Sequence, residues 1–104
     1  MYEREVNNLE REEKLMTIKN LILNTVQVEA IVLFGSYARN RERPDSDIDI
    51  AIKPKTELSK KEQLELQNKL EEALDIDMHL INLNNIEDDF KYDILITGKY
   101  WKER

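Results

Sequence analysis

The stretch Gly35–Asp49 (GSYARNRERPDSDID) holds the residues best suited to chemistry. Asp47 and Asp49 lie two apart in the alternating run Asp47–Lys53, so on a strand both carboxylates leave one face. Two like charges that close repel one another unless a cation intervenes. Oxygen-only donors suit Mg²⁺ or Mn²⁺ rather than zinc. Alone, the pair also fits the solvated face of a half-buried sheet. Asp77 recurs on the polar face of the next strand, where a third carboxylate could close the site. Upstream, Gly35-Ser36 follows an apolar run and opens a predicted helical turn. Unpaired N–H groups at a helix start favour anions, and glycine lets a phosphate approach the main chain. An ordinary strand-to-helix turn with Ser36 as N-cap has the same pattern. Arg39, Arg41 and Arg43 could meet phosphates or a partner, or pair with Glu42 and Asp45.

The elements that must hold these residues follow from periodicity. Residues 1–27 read as one helix, with Val6, Leu9, Leu15, Ile18, Leu21, Ile22 and Thr25 at helical spacing and fraying over 1–9. Glu29–Phe34 is a short, partly β-branched run ending at Gly35, a buried strand. Ser36–Asn40 predicts one or two helical turns, and Arg41–Ser46 a loop carrying Pro44-Asp45. In Asp47–Lys53, Ile48, Ile50 and Ile52 face one way, and Pro54 ends the strand. Ser59–Leu74 predicts a helix with a Ser59–Glu62 capping box and an apolar side of Leu64, Leu66, Leu70, Ala73 and Leu74.

Asp75–Leu83 predicts a third strand, with Ile76, Met78 and Leu80 on one face and Asp75, Asp77 and His79 on the other. Asn84-Asn85 marks a turn. Glu87–Thr97 predicts a last helix that buries Phe90, Ile94 and Leu95, with Gly98 as C′ cap. Lys99–Lys102 adds a short edge strand, and this order predicts a two-layer α/β sandwich, α+β in kind, as one domain over residues 1–104. His79 is expected as a polar surface group at the site rim, Tyr37 as a packing residue, and Tyr100-Trp101 as core and rim.

Composition narrows the function. The 104 residues contain no cysteine and one histidine, excluding disulfide scaffolds, thiolate metal sites, cysteine nucleophiles and multi-histidine metal centres. The net charge of −6 argues against a nucleic-acid-coating protein. The N-terminus lacks the apolar core of a secretory signal, and no apolar run approaches the ~20 residues that span a bilayer. A cytoplasmic protein without membrane contact is expected.

Gly35-Ser36, ten residues, then Asp47-Ile48-Asp49 resembles the signature of the DNA polymerase beta-like nucleotidyltransferase superfamily. The form GSYAR…SDIDIAI resembles its smallest members, the minimal nucleotidyltransferases, over roughly residues 10–104. The resemblance implies a mixed sheet flanked by helices, ATP as donor and two divalent metals. It implies that Gly35 and Ser36 hold the triphosphate and that Asp47 and Asp49 bind Mg²⁺. Asp77 matches the third carboxylate, which also helps deprotonate the attacking hydroxyl; Asp75 is its rival. Asn40 stands where a small residue, often glycine, is usual. Of the three arginines, Arg39 is expected to join Gly35 and Ser36 in binding the nucleotide.

The resemblance further implies an antitoxin paired with a HEPN-domain ribonuclease toxin, transferring AMP to a tyrosine hydroxyl on it. The chain carries none of the extra domains with which polymerases and antibiotic-modifying relatives hold substrates, so the acceptor is expected to bring its own surface. Two other readings stay open: an antitoxin that neutralises by binding alone, and a small-molecule nucleotidyltransferase.

Overall fold

A computed structural model describes residues 2–39 and 47–102. The expected loop Arg41–Ser46, with Arg41 and Arg43, lies outside the described residues, as do Asn40 and the side chains of Val6, Leu9 and Trp101. The elements run α1 (Tyr2–Thr25), β1 (Val28–Phe34), β2 (Ile48–Pro54), α2 (Lys60–Leu74), β3 (Met78–Asn82), a 3₁₀ turn (Leu83–Asn85), α3 (Asp88–Thr97) and β4 (Lys99–Lys102). The strands form one four-stranded sheet in the order β3-β2-β1-β4. β1 pairs antiparallel with β2 and with β4, whereas β2 and β3 are parallel and joined through α2. This mixed sheet with helices is the expected α+β architecture.

The isoleucine alternation orients β2. Ile48, Ile50 and Ile52 are fully buried with Ile31 and Leu33 of β1 and Met78 and Leu80 of β3. Ile18 and Ile22 of α1, and Leu66 and Leu70 of α2, cover that face at i, i+4 spacing. Burying this much branched aliphatic surface is the main term holding the sheet to its helices. A smaller cluster joins Val32 and Ala51 to Leu83 and Ile94 on the other face. α3 therefore covers part of the second face, a partial third layer beyond the expected two.

Several local expectations are revised. Residues 35–39 form a turn rather than a helix, with the Arg39 N–H donating to the Ser36 carbonyl at 3.2 Å. Thr25 is exposed, its hydroxyl turned back to the Leu21 carbonyl at 2.7 Å. Leu64 and Phe90 are 57% and 43% exposed, because each lies off the stripe that faces the sheet. Ala73 is exposed as well. Gly98 caps α3 with extended backbone (φ −82°), not a left-handed C′ turn. Space requires glycine there: a Cβ would stand 2.4 Å from Val32 Cγ1 and 2.7 Å from the Ile94 carbonyl oxygen.

β3 starts three residues later than expected. Asp75 adopts left-handed backbone (φ 53°, ψ 48°) as the C-cap of α2, a conformation aspartate tolerates, and this separates it from the strand. The outer edge of β3 is covered by α2 side chains spaced four apart. Gln63 Nε2 donates to the Leu80 carbonyl (3.0 Å), the Leu80 N–H donates to Gln67 Oε1 (3.3 Å), and the Met78 N–H donates to Glu71 Oε2 (3.0 Å). These polar groups replace a missing neighbouring strand and hide the edge. Among the described residues no helix is long and apolar enough to cross a membrane.

Gln67→Ala leaves the Leu80 N–H without its protein partner. It should cost about 1 kcal/mol, read from urea unfolding. The capping box supplies a pH signature. The Ser59 N–H, then its hydroxyl, hold the Glu62 carboxyl below the ordinary glutamate value. A carboxyl depressed by folding stabilises above its unfolded pKa, and that contribution vanishes as pH falls through the folded value. Thermal melts should therefore show stability falling in that acidic window, and Glu62→Gln should flatten the dependence.

Candidate active site

β1 delivers its chain end to the start of β2. Phe34 pairs with Asp49, so the next residue, Gly35, turns directly over that aspartate. Gly35 has φ +74°, a region open to glycine at little cost. A Cβ at Gly35 would lie 2.2 Å from Asp49 Oδ2 and 3.1 Å from its carboxyl carbon. Only a residue without a side chain lets the turn and the carboxylate meet. The turn is braced from α1: the Arg11 guanidinium donates to the Tyr37 carbonyl and lies 5.7 Å from the centroid of the Tyr37 ring. Tyr37 itself is buried in the core, as a packing residue should be.

The parallel ladder brings the other groups in. Asp49 is in register with His79, and Ile48 with Met78. The Ile48 N–H donates to the Asp77 carbonyl at 3.2 Å, so Asp47 and Asp77 stand side by side just before their strands. His79 Nδ1 lies 2.9 Å from Asp49 Oδ1, and Nε2 lies 3.6 Å from Asp47 Oδ2. A carboxylate can only accept, so Nδ1 carries the proton of the shorter contact. Side-chain exposure falls from 64% at His79 through 42% at Asp47 to 23% at Asp49.

The structure thus joins Gly35, Asp47 and Asp49 at one place, with Ser36 in the same turn and Arg39 exposed at its end. The histidine expected at the rim is exposed there and reaches both aspartates. Asp77 is exposed and is not part of that three-way contact. Among the described residues no group of three or more His, Asp or Glu side chains is drawn together tightly enough to hold a metal ion as it stands. Register sets His79 rather than Asp77 opposite Asp49. The donor set still fits a hard divalent cation: two adjacent carboxylates with an open side and no thiolate. Arg11 was missed by sequence reading because it is 26 residues from its carbonyl partner and carries no local signal.

The site is thus a glycine-serine turn set above paired aspartates on a mixed sheet. The polymerase beta nucleotidyltransferase family model matches residues 16–104, and the chain belongs to that family. It is 37% identical over 81 residues to a Methanocaldococcus jannaschii protein provisionally named protein adenylyltransferase MJ0126, covering 78% of this chain and 83% of that one. A toxin-antitoxin crystal structure with AMP-PNP superposes with a TM-score of 0.78 at 30% identity, over 89% of this chain and 74% of the other. The complex of tri-AMPylated Shewanella oneidensis HEPN toxin with MNT antitoxin gives 0.77 at 27% identity, over 90% and 73%.

Gly35→Ala should lower nucleotide affinity and turnover together by about 10²-fold, the scale of an ångström-level misplacement. Isothermal titration with ATP and steady-state kinetics check this, and circular dichroism should show the fold retained.

Proposed function

We propose that the chain is a Mg²⁺-dependent protein adenylyltransferase that acts as an antitoxin, moving AMP from ATP to a tyrosine hydroxyl of a HEPN-domain ribonuclease toxin. The observation that carries the reading is the contact between the Gly35 turn and the Asp49 carboxylate, with Asp47 alongside. The names of the relatives, which join adenylyl transfer, an ATP analogue and a HEPN toxin, support it.

In this reading the backbone amides of Gly35 and Ser36 receive the triphosphate. Arg39, exposed at the end of the turn, adds positive charge toward the outer phosphates. Asp47 and Asp49 hold the divalent ions, and Asp77 is the third carboxylate, beside Asp47. When bound, the ions offset phosphate charge and make the α-phosphorus more electrophilic. The tyrosine oxygen bonds to the α-phosphorus, the bond to the β-phosphate oxygen breaks, and pyrophosphate leaves. Asp77 accepts the hydroxyl proton. The protein mainly positions and neutralises, as phosphoryl transfer requires. In this reading the reaction takes a protein acceptor in the cytoplasm and calls on neither nucleic acid nor membrane.

Incubating the protein with its HEPN toxin, Mg²⁺ and α-labelled ATP should label a toxin tyrosine and release pyrophosphate. Asp49→Asn should reduce labelling by at least about 10³-fold, in line with the several kcal/mol that metal charge stabilisation supplies. An unlabelled toxin in the presence of ATP-binding protein would overturn the reading. Full neutralisation by an Asp47→Asn, Asp49→Asn double variant would return the binding-only alternative.

A further inference from the structure

The two oxygens of Asp49 are both engaged. Oδ2 lies against Gly35, close enough that a Cβ there would meet it at 2.2 Å. Oδ1 takes His79 Nδ1 at 2.9 Å. The same ring turns Nε2 toward Asp47 Oδ2 at 3.6 Å. One imidazole edge therefore spans the oxygens through which the two aspartates would share a cation. A cation and a ring nitrogen with its hydrogen cannot occupy that space together.

We infer that His79 is a displaceable plug of the divalent-cation site: its ring holds Asp47 and Asp49 in place while no ion is bound and must leave for one to enter. This rests on the proposal that the two aspartates ligate the metal. Two observations favour a plug over a fixed structural bond. The His79 side chain is 64% exposed, so it has open space to rotate into. Its neighbours Met78 and Leu80 are buried on the opposite face, so the backbone of β3 stays anchored when the ring moves. The plug also answers a charge problem, since it gives the paired carboxylates a hydrogen-bond donor when no ion is present. Its removal leaves those oxygens open and lowers what an entering ion must displace.

Mn²⁺ binding in the absence of nucleotide, followed by electron paramagnetic resonance of the free ion, tests this without any activity measurement. His79→Ala should bind Mn²⁺ about fivefold more tightly than the wild type, the worth of one modest hydrogen bond lost from competition. His79→Val, whose β-branched side chain suits a strand, should do the same, so an isolated folding defect in one variant does not decide the outcome. Unchanged or weaker binding in both variants would overturn the plug, the weaker result marking His79 as an ion ligand. Asp47→Asn and Asp49→Asn serve as the reference. If neither reduces wild-type Mn²⁺ binding, the metal-site reading fails and the plug falls with it.

Discussion

The register of β2 between its two neighbours is the constraint on which the site depends. On one side Asp49 pairs with Phe34, which places Gly35 on its carboxylate. On the other it pairs with His79, which closes a contact with both aspartates. A slip of one residue would turn Asp47 and Asp49 into the core and the isoleucines into solvent. The fully buried Ile48, Ile50 and Ile52 make that slip prohibitive, so apolar packing on one face sets the chemistry on the other.

The scaffold around β2 reinforces both pairings with polar contacts. Gln63, Gln67 and Glu71 hold the outer edge of β3 from α2, fixing the strand that carries His79. Arg11 holds the Tyr37 carbonyl from α1, fixing the turn that carries Gly35 and Ser36. Each long helix therefore has a double role: its aliphatic stripe covers the sheet, and one or more of its polar side chains aligns a part of the site. α3 lies on the face that bears the aspartates, and Phe90 meets Phe34 edge-on at 6.3 Å beside Asp49.

Charge raises a separate issue. In the proposed reaction a chain of net charge −6 would hold a polyanionic nucleotide. Backbone amides of the glycine turn carry no net charge to be neutralised elsewhere, and a divalent ion would neutralise the carboxylate pair locally. Arg39 is exposed at the end of the glycine turn. Local arrangement thus overrides overall balance, which is why composition argued only against extended nucleic-acid surfaces.

Sequence by itself determined whatever depends on neighbours a few residues apart. The alternation of β2, the Ser59–Glu62 box and the edge strand at Lys99–Lys102 all match the structure, because period and capping are local physics. The spacing of Gly35-Ser36 from Asp47 and Asp49 was likewise legible, as the signature through which the chain resembles its family. Tertiary structure decided the rest. That His79 would sit between Asp47 and Asp49, 30 residues from the latter, follows from the parallel register and from nothing in its own surroundings. The exposure of Leu64 and Phe90, the Arg11 brace and the glutamine ladder arose in the same way, because each depends on how separate elements dock, and docking depends on shape and burial summed over the whole core.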